Sequence, residues 1–313
     1  MTIVAERALG VGIHGLAVRL VCADGATGAA LAERFAAFPP AAGKGPDATV
    51  RFRVDAPVHA EPDDGRVVYE SERARAVYAP VEDVLYAFHA DGGSLRCDPV
   101  AGTAEIVAEP GAAATWLATR PLLTLALMEI VRARGLHPLH AAALAGPGGG
   151  VLVCGPSGAG KSTLALALAA AGLDYLGDDL ALLRARPDDV EVLGFPDELG
   201  LADGPRRPGW PKGRLAVGDT FPPNRVRAAC APRLVLCLSE AAESRAPEPI
   251  DADAALLELL PSILLTHPAR VQPHLDALAK LVASATLWRM AQRPDLEAVV
   301  ERVTAFVGDA EAA

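Results

Sequence analysis

None of the five cysteines in this 313-residue chain (Cys22, Cys97, Cys154, Cys230 and Cys237) belongs to a CxxC pair, and none has a histidine at metal-ligand spacing. That excludes a zinc knuckle, and an odd number without a framework argues against a disulfide scaffold and for a reducing compartment. Cys154 and Cys237 lie in the apolar runs VLVC and LVLCL and read as buried strand thiols. Positive charge is also short. With a formal net charge of −10, the chain has no general basic surface for nucleic acid or anionic membranes. The N-terminal MTIVAERALGVGIHG lacks the basic, apolar and small-residue regions of a signal peptide. Residues 121–131 form the most apolar long stretch, but it contains Glu129 between Arg120 and Arg132 and is too short for a bilayer. The expectation is a soluble, cytoplasmic protein with no membrane or nucleic-acid partner. No internal repeat is present.

What is there divides in two. Residues 1–119 carry short strand-like runs at 49–54, 66–70, 84–90 and 104–108, separated by turn signals such as PDDG and DGG. They predict a small β-rich N-terminal domain without evident chemistry. Residues 120–313 predict an α/β domain. Pro121 suits a first helical position, Leu122, Leu125, Met128 and Ile130 give an apolar face, and Gly135 can cap the end. Two apolar runs at 140–145 and 151–154, joined by GPGGG, suit a hairpin at a sheet edge. A helix at 161–171 follows, then a short strand LDYLG, with later strands near 190–195 and 233–238. From Ala252 onward, three stretches with apolar residues three and four apart predict packing helices.

The run Gly155-Pro156-Ser157-Gly158-Ala159-Gly160-Lys161-Ser162 matches GxxxxGK[ST] at every fixed position, after an apolar strand and before a helix former. Glycines let successive N–H groups turn inward around phosphate oxygens. The helix that follows adds its N-terminal N–H groups and dipole. The expected cofactor is ATP with Mg2+, its phosphates held by Gly155, Ser157, Gly158, Ala159, Gly160, Lys161, Ser162 and Thr163. Lys161 supplies a full charge to the β- and γ-phosphates, and Ser162 a metal-directed hydroxyl. No LSGGQ-like run and no NKxD-like guanine reader follow, which argues against an ABC-type ATPase or a GTPase. A dinucleotide fingerprint is likewise missing.

Asp178 and Asp179 come one helix and one short strand after Lys161. Adjacent carboxylates at a strand end point in divergent directions. One can therefore support the metal while the other takes a hydroxyl proton. His140, ahead of the hairpin, can tune a catalytic Asp or be structural. The segment GPRRPGWPKGR offers Arg206, Arg207, Lys212 and Arg214, of which Lys212 and Arg214 are the candidates for reaching the phosphates.

Leu139-His140-Ala141, the GPSGAGKST loop and LGDDLALL together resemble the HPr serine kinase/phosphorylase family, and its shorter HPr-kinase-related branch from peptide-modification gene clusters in particular. The resemblance spans about residues 135–195. It implies a nucleotide domain of the phosphoenolpyruvate carboxykinase-like type. By position, Asp178 would be the general base toward a serine hydroxyl, His140 its partner, and Asp179 the metal residue beside Ser162. Two departures bear on the acceptor. Thr163 stands where the HPr enzymes carry an acidic residue, and EVLGFPDELGL at 191–201 replaces their Arg- and Gly-rich signature. The implied protein is a kinase without efficient phosphorylase activity, acting on a serine of a peptide or protein other than HPr. Family enzymes often form homo-oligomers, but no interface is specified here. The alternatives left open are a kinase for free serine or another small hydroxyl compound, and a nucleotide-binding regulatory protein without catalysis.

Overall fold

The computed structural model describes residues 6–43, 45–54, 58–111, 113–201, 204, 213–293 and 295–308. They fall into two compact units. The first takes the chain as far as Arg134 together with Leu265–Arg270, and the second takes the remainder from Gly135 onward.

The first unit is an eight-stranded sheet with one long helical run. Strands β1 (Arg7–Ile13) and β2 (Leu16–Cys22) form a hairpin. Its turn residues His14 and Gly15 both have positive φ, 47° and 96°, as a tight type I′ connection requires. Helix α1 (Gly25–Arg34) is N-capped by Asp24, whose carboxylate accepts from the N–H groups of Ala26 and Thr27. Strands β3 (Ala48–Arg53), β4 (Arg66–Glu70), β5 (Ala74–Ala79), β6 (Val84–His89), β7 (Gly93–Asp98) and β8 (Thr103–Ala108) complete the order β1-β2-β3-β8-β7-β6-β5-β4. β3 runs parallel to both β2 and β8, and the other pairs are antiparallel.

The helical run comprises α2 (Ala114–Leu117), a π segment (Ala118–Leu122) and α3 (Leu123–Arg132). Pro121 therefore does not open a helix, as its sequence context suggests. It lies inside a continuous run, in a wider π turn that accommodates the missing N–H. The run is longer than 121–131, and Ala114–Arg132 is long and apolar enough to cross a membrane by length and composition, yet 67% of it is buried within the protein.

The second unit is mixed α/β. Its six-stranded sheet has the order β12-β10-β11-β18-β20-β19, from β10 (Ala141–Gly146), β11 (Gly149–Cys154), β12 (Asp174–Gly177), β18 (Pro232–Ser239), β19 (Glu248–Pro249) and β20 (Thr286–Ala291). β11, β18 and β20 are parallel, so their carboxyl ends share one edge. Helix α4 (Lys161–Ala170) follows β11. The β10–β11 hairpin is interior rather than at the sheet edge, because β12 pairs outside β10. A four-stranded sheet, β17-β14-β13-β9, is built from β9 (Leu136–Leu139), β13 (Ala181–Ala185), β14 (Val190–Gly194) and β17 (Ala229–Cys230). A two-stranded hairpin joins β15 (Leu199–Leu201) to β16 (Gly213–Leu215), and a short α5 (Val217–Thr220) follows it.

One face of the six-stranded sheet buries Leu152, Cys154, Val235, Cys237 and Leu287 against α6 (Ala252–Leu259) and α7 (Val271–Ser284), through Ala255, Leu259, Ala277, Leu278 and Leu281. The alternate residues face α8 (Leu296–Gly308), where Trp288 packs on Phe306 at 4.8 Å. Cys154 and Cys237 are directly paired across β11 and β18 and fully buried, and burial pushes the Cys154 thiol well above its ordinary range. They are core thiols.

Candidate functional site

Two antiparallel strand pairs meet at one place. β10 pairs with β12 through Ala143↔Gly177, and β9 pairs with β13 through Leu139↔Ala181. The register is the same on both sides, so β9–β10 and β12–β13 form one ribbon that leaves the four-stranded sheet and enters the six-stranded one. The ladder opens where it crosses. His140 interrupts one strand, and Asp178, Asp179 and Leu180 interrupt the other. The backbone groups freed there are satisfied locally. The His140 N–H donates to the Ser262 carbonyl at 2.8 Å, and its Nδ1 donates to the Asp179 carbonyl at 2.8 Å. The His140 bond therefore runs to the main chain of the acidic pair and fixes Nδ1–H as the tautomer. Gly177 is required at the crossing, since a Cβ there would lie 2.6 Å from the Phe195 carbonyl and 2.8 Å from that of Leu180.

The loop after β11 is shaped by three glycines in left-handed conformations, Gly155 (φ 142°), Gly158 (φ 86°) and Gly160 (φ 108°). A Cβ on Gly155 would stand 2.5 Å from the Leu238 carbonyl, so the loop lies directly against the end of β18. Gly160 is the N-cap of α4 and no side chain caps the first turn. The N-terminal dipole end thus opens onto the loop. Ser157, Gly158 and Thr163 are exposed, Ala159 is buried, and the Ala159 carbonyl accepts from the Arg293 N–H at 3.2 Å. Lys161 folds back over the loop, its Nζ donating to the carbonyls of Gly155 at 2.7 Å and Pro156 at 3.0 Å.

Asp178 is fully buried. Its Oδ2 accepts from the Gly200 N–H at 3.0 Å, while Oδ1 has no hydrogen-bond partner. Burial first, and then the neighbouring Asp179 carboxylate, push its pKa up to about 7. The Gly200 N–H, the Ser162 hydroxyl and the Arg214 charge pull the other way. The Ser162 hydroxyl, at the start of α4, thus stands close enough to the Asp178 carboxylate to lower its pKa as a hydrogen-bond donor. Asp179 is more exposed and pairs with Arg214, Nη1 to Oδ2 at 3.2 Å. Arg214 Nη1 also donates to the Glu198 carbonyl at 3.3 Å, and Asp179, Asp197 and Glu198 raise its pKa against the effect of burial. The structure thus gathers Lys161, Ser162, Asp178, Asp179, His140 and Arg214 around the loop and the ribbon crossing. Lys212, with Arg206 and Arg207, lies outside the described residues.

Sequence reasoning missed the segment Phe195–Leu201. It supplies the Gly200 N–H, the buried acids Asp197 and Glu198, and the Asp197 carbonyl that accepts from Tyr175 OH at 2.7 Å. Tyr175 in turn stacks on Phe221 at 4.5 Å. The acid-rich PDELG run is the one signal that marks this segment.

Chemically, the arrangement offers a glycine cradle at a helix N-terminus, a lysine folded over it, and a buried carboxylate with one oxygen unengaged. Among the described residues no group of three or more His, Cys, Asp or Glu could hold a metal ion by itself.

No family model matches the chain, and neither does any curated protein. Among solved structures, the HPr(Ser) kinase/phosphatase from Coxiella burnetii is similar at 17% identity and a TM-score of 0.34, over 54% of this chain and 96% of that one.

Proposed function

We propose that this chain is an ATP- and magnesium-dependent kinase with a P-loop nucleotide domain of the phosphoenolpyruvate carboxykinase-like type. Its acceptor is a serine hydroxyl on a peptide or protein. The observation that carries the reading is Asp178, a buried carboxylate with an unengaged oxygen and a pKa pushed up to about 7, set beside a glycine loop that opens a helix. A base poised near neutral pH is what proton removal from a hydroxyl calls for.

The loop from Gly155 to Thr163 receives the phosphates on its N–H groups, and Lys161 leaves the Gly155 and Pro156 carbonyls to meet them. Ser162 and Asp179 would hold the magnesium ion, which when bound neutralises charge on the phosphates. Lys212 and Arg214 are the further cations of the phosphate side. Asp178 is held by the Gly200 N–H at Oδ2, so Oδ1 is the atom that takes the acceptor's proton. The acceptor oxygen forms a bond to the γ-phosphorus as the bond from that phosphorus to the β–γ bridging oxygen breaks, and ADP leaves. His140, bonded to the Asp179 carbonyl, holds the crossing in place and positions both carboxylates.

The test is transfer from labelled ATP to serine-bearing peptides, with free serine as a parallel acceptor. Asp178→Asn should abolish transfer while ATP still binds. Normal turnover in that variant would sink the base assignment. Labelling of free serine alone would move the acceptor to the small-molecule class, and binding without transfer to any acceptor would leave a nucleotide-binding regulator.

A further inference from the structure

The β15–β16 hairpin touches both members of the acidic pair, and it does so from a single cross-strand position. Gly200 and Arg214 are directly opposed in the hairpin register. The Gly200 N–H donates to Asp178 Oδ2, and the Arg214 guanidinium donates to Asp179 Oδ2. A Cβ at 200 would stand 3.3 Å from Arg214 Nη1 and 3.4 Å from its Cζ, so any side chain there would press the guanidinium aside. The guanidinium lies over the glycine and is held a second time by the Glu198 carbonyl. One carboxylate therefore receives a neutral donor and keeps an unengaged oxygen, whereas its neighbour receives a full positive charge.

We infer that this cross-strand pair assigns the two adjacent aspartates their different tasks, and that Arg214 is a placeholder on Asp179 that the divalent cation displaces when it arrives with the nucleotide. The inference rests on the nucleotide reading above. Arg214 is a positioning residue here, and its ion pair keeps the Asp179 carboxylate aimed while no metal is bound. The Arg214 guanidinium occupies Asp179 Oδ2 and sets a positive charge beside any cation that arrives there, so the ion pair competes with the metal for the carboxylate and opposes its entry.

The probe is Mn2+, whose binding is read by electron paramagnetic resonance on the full chain saturated with a non-hydrolysable ATP analogue. Losing a charged hydrogen bond that competes for the site should tighten Mn2+ binding about 10-fold in Arg214→Ala. Gly200→Val pushes the guanidinium aside without removing its charge and should tighten binding in the same direction, by roughly 3-fold. Asp179→Asn should weaken it at least about 10-fold. The deciding form is the double variant. If Arg214 acts through Asp179, adding Arg214→Ala to Asp179→Asn changes Mn2+ affinity by less than about 2-fold. A tightening that persists in the Asp179→Asn background would show general electrostatics and overturn the placeholder, and so would an Arg214→Ala variant that binds Mn2+ no better than wild type. An analogue that fails to bind the wild type, or binds Lys161→Ala equally well, removes the nucleotide reading and this one together. Lysine-dependent analogue binding with no Arg214 effect removes this one alone.

Discussion

Two carboxylates, one in each compact unit, are equally buried and oppositely treated. Glu129 in α3 is ion-paired with Arg132 one turn on, both about 1% exposed, and the same guanidinium reaches Thr266 Oγ1 at 3.0 Å. Asp178 at the ribbon crossing has a second carboxylate, Asp179, beside it and one oxygen without a hydrogen-bond partner. The first arrangement closes its own charge balance and leaves no group for a ligand or a proton to complete. The second leaves a balance open for something to complete, which is the arrangement the proposed base requires. The exposed ion pairs of the first unit, such as Arg75 with Glu61 and Glu70, belong to neither case and contribute little.

The contrast can be broken by substitution. Asp178→Asn should lower kcat by about 10²- to 10⁴-fold with no loss of melting temperature, because it removes a base and an unfavourable buried charge together. Arg132→Ala should do the reverse, costing about 3–5 kcal/mol of stability by stranding Glu129, and altering transfer only as far as the protein unfolds. Chemical denaturation and single-turnover transfer, measured on both variants, separate the two outcomes. If both variants lost stability alike, the two carboxylates would be the same kind of feature.

pH sharpens the comparison further. Asp178 has a folded-state pKa near 7 against an ordinary 3.8. Below about pH 4 both folded and unfolded chains hold the proton. Between about 4 and 7 the unfolded chain releases it first, so stability should fall as pH rises through that window and level off above it. The fall is at most about 4 kcal/mol, at about 1.4 kcal/mol per unit, and Asp178→Asn should flatten it. In the same range kcat should rise toward pH 7 and above as the base ionises. A stability profile that rose from pH 4 to 7 in the wild type and stayed unchanged in the variant would contradict the burial of a lone charge. The smallest effect belongs to Tyr175→Phe, which removes the hydrogen bond to the Asp197 carbonyl and should cost about 1 kcal/mol in denaturant unfolding.

What the sequence discloses follows from how local each feature is. The glycine loop, Lys161 and the acidic pair are legible because strand, turn and helix signals sit side by side within a few residues. In the first unit β3, β4, β6 and β8 are legible through strand-forming runs between turn signals, while β1, β2, β5 and β7 are not. β20 escapes because TLWRMA follows a helical pattern with no turn signal before it, although it is an interior strand of its sheet. The hairpin that grips both aspartates is the least legible of all. Its strands are three residues each, too short for a period of two, and their partners are set by a pairing fourteen positions apart, Gly200 with Arg214. The roles of Gly200, Asp197 and Glu198 arise only when that pairing forms.

The ribbon that leaves one sheet and enters another also constrains how the gene can vary in length. A single residue inserted or deleted in β9–β10 or β12–β13 would slip the register, and slippage turns every side chain beyond it to the opposite face. Here an error at the crossing would set one sheet out of register with the other and misplace His140 and the acidic pair together, whereas the irregularity the ribbon does carry lies past it, between Ala143 and Leu144. Homologous chains should therefore hold a fixed number of residues from His140 to Ala143 and from Gly177 to Ala181, and place their insertions elsewhere.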